Sequence, residues 1–435
     1  MSDLIRRNIY LTWLCFVMVW AGAAAAELPE QLDKPELRGR VVTGYQGWFR
    51  APGDGTDMGW VHWGSRKRFD RRISSIEFWP DMSEATPSER YPTAYRHADG
   101  SVAHVFSSAH PRTVQRHYEW MRNYGIGGAF QQRFVSALRN PRCKASLDQV
   151  LANTRNASRS AGVPWALMYD LSGLKPGEIE SLLYKDLVEL IVEQQILEDP
   201  YYLHHNGEPI VAVWGVGFAD REKPREYTLQ ECFDLVAYLR SGSRVRRCAV
   251  MLGVPYGWRE NRRDASGDPR LHELLSKAQI ISPWSVGRYK TPKQAQHNAA
   301  TYIEPDMRWC EQNDAAYLPV VFPGFSWVNL KRSNGVEKLP AYDAIPRLGG
   351  AFLWSQAVAA KQAGAEMLYV AMFDEVDEGT AIFKVTNDPP VNGANGERFL
   401  TYRRDLPTDH YLWLTGTIGR LIAGQIEPTQ RMPAR

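Results

Sequence analysis

Short runs of apolar and β-branched residues alternate with longer stretches of helical period along nearly the whole chain. The short runs are bounded by turn-forming residues and predict strands over 41–48, 127–134, 163–172, 209–217, 247–255, 279–287, 316–327 and 366–374. All eight are apolar enough to be buried, as parallel strands covered on both faces are. Helical periodicity recurs over 111–124, 146–161, 176–197, 229–240, 269–278, 295–313, 352–363 and 409–423. Eight strands, each followed by a helix, close most simply into a (β/α)8 TIM barrel. An open doubly wound sheet is the alternative, but no Gly-rich phosphate loop opens a helix after the first strand.

A barrel of this type needs about 250 residues, and the chain has 435. The excess predicts long loops after strands one and seven, over 49–110 and 326–350. Both belong to the C-terminal face, where barrel active sites are built. The first loop is crowded with Trp60, His62, Trp63, Phe78, Trp79, Tyr91 and Tyr95. No internal repeat or low-complexity linker interrupts the pattern, so one domain is expected over 27–425, with 426–435 a disordered tail.

The first residues stand apart from this pattern. Arg6 and Arg7 precede the apolar run from Ile9 to Trp20 and the small residues Ala21 to Ala26, the composition of a secretory signal cleaved after Ala26. The run is too short for a stable membrane anchor, and export to the periplasm or beyond is expected. A composition of 44% hydrophobic and 23% charged residues is that of an ordinary globular protein. A net charge of +3 argues against a dedicated nucleic-acid or membrane-surface binder. Beyond the leader, Cys143, Cys232, Cys248 and Cys310 form no Cys-x-x-Cys pair and read as core thiols. An exported protein could still bridge them, and the spacings do not choose a pairing. With 15 Trp and 20 Tyr the chain is rich in flat rings, which stack on sugar faces as well as fill cores.

The C-terminal ends of the strands supply what can face a cleft: Tyr45, Gln46 and Trp48; Gln131, Gln132 and Arg133; Tyr169 and Asp170; Trp214; then Trp284, Arg288, Phe325 and Trp327. Amides and carboxylates bind hydroxyls and indoles bind the apolar faces of pyranoses, so the mixture suits a neutral oligosaccharide or polysaccharide. Trp60, His62 and Trp63 from the first loop join this candidate substrate-binding set. A strand-end Trp is often plain core, whereas Asp170, closing an apolar strand, needs a buried partner or a task.

The sharpest segment is Ala371-Met-Phe-Asp-Glu-Val-Asp-Glu-Gly-Thr380, where an apolar strand runs into Asp374, Glu375, Asp377 and Glu378. Carboxylates this close raise one another's pKa, so one can stay protonated as an acid while its neighbour is ionised. Glycosidic cleavage needs that division of labour, which makes Glu375 and Glu378 the candidate catalytic pair and Asp374 a candidate binding residue. A calcium site and a solvated acidic turn are the competing readings. The first lacks alternating ligands with Gly at the sixth position, and the second sits oddly at the end of the last strand.

The chain resembles glycoside hydrolase family 99, the endo-α-mannosidases, and the related family 71 barrels. Asp374-Glu-Val-Asp-Glu-Gly-Thr380 is similar to the Asn-Glu-Trp-His-Glu-Gly-Thr segment of family 99, and Gly44-Tyr-Gln-Gly-Trp-Phe49 with Trp60-Val-His-Trp63 resembles its Trp-Tyr-Gly and Trp-His-Trp elements. The resemblance implies that Glu375 deprotonates the substrate's own 2-hydroxyl to give a 1,2-anhydro sugar, that Glu378 is the acid/base, and that configuration is retained. Direct attack by a carboxylate is the usual retaining scheme and the alternative for this chain. Asp374 for Asn, Val376 for Trp and Asp377 for His depart from the family, and a divergent subgroup labelled xylosidase or arabinosidase is the better match. The expectation is a secreted glycoside hydrolase without cofactor or metal. A non-catalytic glycan-binding barrel is the runner-up. A metal-dependent esterase or lyase is disfavoured, because neither a metal-spaced His/Asp set nor a Gly-x-Ser-x-Gly elbow occurs.

Overall fold

The computed structural model describes residues 34–219 and 225–435; the leader expected over 1–26 lies outside them. Eight parallel strands form the centre: β1 (Val41–Tyr45), β2 (Ala129–Phe134), β3 (Trp165–Asp170), β4 (Glu208–Trp214), β5 (Ala249–Val254), β6 (Ile280–Pro283), β7 (Ala316–Tyr317 continuing as Val320–Val321) and β8 (Leu368–Val370). Neighbours in sequence pair in space, with registers such as Thr43↔Ala129, Leu167↔Val211 and Met251↔Ile280. Strand β7 closes the ring. Its first half pairs with β6 (Ala316↔Ile280) and its second with β8 (Val320↔Tyr369), and β8 pairs with β1 (Val41↔Leu368). The break falls at Leu318–Pro319, where proline has no N–H for a ladder and its carbonyl instead accepts from Tyr369 N at 3.0 Å.

The helices follow in order: α1 (Pro111–Tyr124), α2 (Pro141–Ala161), α3 (residues 179–193), α4 (Leu229–Ser241), α5 (Arg270–Leu275), α6 (residues 292–312), α7 (Ala351–Gln362) and α8 (His410–Ile422). Their ends are written locally. Asn140 Oδ1 caps α2 at Arg142 N and Cys143 N, Thr228 and Glu231 form a capping box on α4, and Gly125 ends α1 at φ +73°. In α6 a π turn at Ala299–Ile303 precedes Pro305, whose missing N–H would otherwise interrupt the helix.

Strand alternation decides which side chains enter the barrel. On β2, Gln132 turns inward to Tyr369 OH (3.1 Å), whereas Gln131 turns outward and accepts from Thr154 on α2 (2.7 Å). Arg133 also turns outward. It is buried and binds Asp186 of α3 through Nε (2.7 Å), and Tyr169 OH of β3 donates to the same carboxylate (2.7 Å). On β1 a side chain at Gly44 would stand about 2 Å from Tyr369 OH and Met372, so only glycine fits that inward position.

The long loop after β1 contains a hairpin, Tyr91–Arg96 against Val102–Val105, and packs its aromatics on one another. The loop after β7 carries the short helix Val328–Ser333. Residues 426–435, for which the sequence predicts a disordered tail, are held against the barrel. Trp354 Nε1 donates to Thr429 O (2.9 Å), Ile426 and Met432 pack on the core, and Arg435 pairs with Asp409. Cys232, Cys248 and Cys310 are buried thiols and Cys143 is half-buried; all four are free. Among the described residues no helix is long and apolar enough to cross a membrane.

Arg133–Asp186 is the buried ion pair joining sheet to helix layer, and breaking it strands a charge. Asp186→Ala is expected to lower unfolding stability by about 3–5 kcal/mol in urea titrations; a loss under about 1 kcal/mol would show that Asp148, which also touches Arg133, suffices alone.

Candidate active site

The acidic segment leaves β8 and turns back at once. Asp374, fully buried, accepts from two backbone N–H groups at the end of β1, Gln46 N on Oδ1 (2.8 Å) and Gly47 N on Oδ2 (2.9 Å). That capture brings the Gln46 side chain beside the next carboxylate: Gln46 Nε2 donates to Glu375 Oε1 (2.9 Å), and Thr380 Oγ1 donates to Oε2 (2.6 Å). The turn is tight because Thr380 N and Ala381 N both bond back to Glu375 O (3.1 and 3.0 Å). Gly379 sits at φ +69° with Ser326 backbone pressed against it, where a Cβ would lie 2.8 Å from Ser326 O.

Glu378 keeps an edge to solvent, and its side chain has no hydrogen-bond partner among the described residues. Ser326 N fixes its carbonyl (3.0 Å). The cation whose charge opposes its lift is Lys331 of the helix after β7, whose Nζ lies 3.9 Å from the Trp327 ring. Asp377 is buried, with Oδ2 on His62 Nδ1 (3.0 Å) and Oδ1 unpartnered. His62 in turn stacks on Trp48, ring centroids 3.8 Å apart and 5° from parallel. The stacked pair also walls a cavity of 320 Å³ lined by Met58, Val61, Phe134 and Leu147.

Two groups absent from the sequence-based set hold this frame. Glu77, buried in the first loop, accepts from Ser326 Oγ and from Asn329 N (2.9 Å), while its own N donates to Val376 O (3.3 Å), so one residue ties three loops together. Burial raises its pKa. Arg347 donates to Gly379 O and Ala381 O (2.7 Å each) and lies over Phe78, Tyr402 and Tyr411.

Burial is the first cause of every pKa shift in the cluster. It lifts Asp374 to about 7 against the two backbone donors, and Asp377 adds to the lift. Glu375 is raised well above the ordinary range by burial, then by Glu378 and Asp377, with Thr380 and Gln46 opposing. Glu378 is raised to about 7 by burial and Asp377, with Lys331 opposing. Two carboxyls so placed titrate as a coupled pair rather than independently. Asp170, on the inward face of β3, is raised to about 6 by burial although Ser172 N donates to it (2.6 Å). Tyr369 OH is raised by burial and then by Glu375, with the Gln132 hydrogen bond opposing and Asp374 and Asp170 adding to the lift.

Of the predicted residues, Gln46, His62, Asp374, Glu375 and Glu378 meet in one constellation, with Trp48 behind His62 and Trp327 beneath Lys331. Gln132 and Asp170 line the same mouth. Others do not belong. Tyr45 points outward into the core, its OH on His117 Nδ1 (2.9 Å) and its ring against Tyr118 and Phe373. Gln131 and Arg133 serve the helix layer. Trp63 is 0% exposed between Phe49, Phe69 and Phe106, so it is loop core and no platform. Trp60 is half-buried edge-on against Phe69. Trp214 and Trp284 pack on each other (5.7 Å) and Arg288 pairs with Asp264 (2.5 Å); none of the three hydrogen-bonds to the acidic cluster.

No protein-family model matches the chain, and no curated protein does. Solved structures resemble it in fold. The GH99 endo-alpha-mannosidase from Bacteroides thetaiotaomicron superposes with a TM-score of 0.62 at 13% identity, covering 90% of this chain and 100% of that one. Its complex with bis-tris-propane gives 0.60 at 15% identity over 89% and 98%. A glycoside hydrolase-like protein gives 0.50 at 12% identity over 90% and 97%. At such identities the likeness is one of fold, and the expected family 99 resemblance holds at that level.

The donors on Glu375 have a measurable consequence. Gln46→Leu removes the Nε2 bond while leaving the backbone bonds to Asp374, so the Glu375 carboxyl is expected to hold its proton to still higher pH in 13C-detected carboxyl titrations. An unmoved or lowered titration would mean that Gln46 does not govern it.

Proposed function

We propose that the protein is a glycoside hydrolase that cleaves a glycan with retention of configuration, with Glu378 as acid/base and Glu375 as the group that works on the sugar itself. The observation that carries this reading is the pair Glu375–Glu378 at the mouth of the barrel. Both are held above the ordinary carboxyl range, but only Glu375 is fixed by two donors. Thr380 and Gln46 favour the ionised form of Glu375 against its burial, and the proposed roles need the pair's shared proton on Glu378, the member open to the cleft. A protonated carboxyl there can give its proton to a departing glycosidic oxygen and afterwards take one from water.

Glu375, anchored at the strand end, is placed either to accept the proton of a sugar 2-hydroxyl, forming a 1,2-anhydro intermediate, or to attack the anomeric carbon. The first is our preferred route, because a carboxylate held by Gln46 on Oε1 and by Thr380 on Oε2 is better fixed for a short proton transfer than free to form a C–O bond. Hydroxyl-binding groups stand nearby in Gln132 and Asp170, and Trp48 and Trp327 offer faces for stacking. The glycoside hydrolase neighbours in fold support the same class of reaction. A calcium role is disfavoured because N–H and O–H groups aimed at Glu375 take two of the roughly four lone-pair sites its carboxylate could offer a cation. The leader composition supports export, with the substrate a glycan outside the cytoplasm.

Glu375→Gln and Glu378→Gln are each expected to lower turnover of a natural glycan by roughly 100-fold or more. With dinitrophenyl glycosides, whose leaving group needs no proton, Glu378→Gln should cost little while Glu375→Gln still cripples. Equal losses on both substrates in both variants would remove the acid role from Glu378. Wild-type turnover should fall as pH rises through about 7, because the acid form of Glu378 is lost above its pKa. A 2-deoxy substrate should resist cleavage; its ready hydrolysis would replace the anhydro-sugar route with direct attack. Loss of activity on chelation, restored by calcium, would overturn the assignment.

A further inference from the structure

Asp377 is the common electrostatic neighbour of the acidic cluster. It lies between Glu375 and Glu378 in sequence and adds its charge to the lift on Asp374, Glu375 and Glu378 alike. Its side chain is 2% exposed and has one hydrogen-bond partner, His62 Nδ1 at 3.0 Å, while Oδ1 has none. A buried carboxylate with a single partner is strongly governed by that partner. His62 comes from a different loop, the one after β1. It adopts φ +63°, a left-handed conformation strained for a non-glycine residue. Its ring is stacked flat on Trp48 and edge-on to Phe49 (6.0 Å, 74°). Backbone strain and a fixed ring plane together aim Nδ1 at Asp377.

We infer that His62 is a positioning residue for the reaction, acting through Asp377 to set how strongly Glu378 holds its proton. The inference rests on Glu378 being the acid. By donating Nδ1–H to Asp377, His62 offsets the negative field that Asp377 places on Glu378. The other charges facing Glu378 are Glu375 on its own turn and Lys331 from the loop after β7, and Asp374 faces the same buried space behind Glu375. His62 is the one among these that reaches the cluster through a side-chain hydrogen bond from another loop, so the folding of the long loop over the mouth completes the acid's environment.

The test uses the full mature chain and two readouts: the pH profile of glycan turnover, and the Glu378 titration followed by 13C-detected carboxyl spectra. His62→Phe keeps the stack on Trp48 and removes the donor, and Asp377→Asn keeps the shape and removes the charge. Asp377→Asn is expected to move the Glu378 titration and the alkaline limb of turnover down by about one pH unit, and His62→Phe to move both up by a similar amount. In the Asp377→Asn background His62→Phe should have no further effect, and His62→Gln, which retains an N–H donor, should lie nearer the wild type than His62→Phe. Unmoved titrations in both single variants, or a His62→Phe effect that persists without the Asp377 charge, would reduce His62 to a loop-packing residue. Shifted titrations in a protein that cleaves no glycan would leave this coupling standing and overturn the glycosidase reading instead. Turnover with unshifted titrations would do the reverse.

Discussion

The site hangs on the capture of Asp374 by two backbone N–H groups. A fully buried carboxylate is tolerated only with donors on its oxygens, and both donors come from the end of the first strand while the carboxylate comes from the end of the last. Each hydrogen bond to a charged group contributes about 1.5–3 kcal/mol. The pair therefore joins the two ends of the barrel sheet at its C-terminal rim, beyond the point where the ladder between them stops. Gln46 is carried to Glu375 by that join, and the turn from Glu375 to Thr380 is built outward from it.

Around this join the molecule balances desolvation against a few directed donors. Burial drives Asp374, Glu375 and Glu378 toward the neutral form, and what differs along the segment is which partners face each carboxyl. Asp374 has backbone N–H groups, Glu375 an amide and a hydroxyl, Asp377 an imidazole, and Glu378 only the nearby charge of Lys331. A graded set of environments within five residues is what lets neighbouring carboxyls take different protonation states at one pH. Glu77 and Arg347 touch no carboxylate of the cluster, yet they set its geometry by fixing Ser326, Asn329 and the carbonyls of Gly379 and Ala381.

The architecture was legible in the sequence because its signal is periodic. All eight strands and helices lie where apolar spacing puts them, and the strands are shorter than expected mainly because their ends become cleft loops. The acidic segment was legible because four carboxylates after an apolar strand have no structural excuse. Strand-end reading failed where it ignored alternation: Gln46 and Gln132 face in, but Tyr45, Gln131 and Arg133 one position away face out, and a two-residue parity rule would have separated them. Trp63 misled because an aromatic-rich loop of this length needs a core of its own. Glu77 and Lys331 left no local signal, since their partners lie more than two hundred residues away in sequence or in a separate loop, and only the folded chain brings them together. Thr380 was in view in the acidic segment, but its bond to Glu375 depends on the tight turn at Gly379.

If two glutamates sharing one proton at the barrel mouth carry a two-step, retaining cleavage, the stereochemistry of the first-formed product will show it. Proton NMR of the anomeric region, recorded in the opening minutes of glycan hydrolysis before mutarotation, should show the new hemiacetal in the same anomeric configuration as the bond that was cut. Initial release of the opposite anomer would mean a single displacement by water, and would contradict the roles proposed for Glu375 and Glu378.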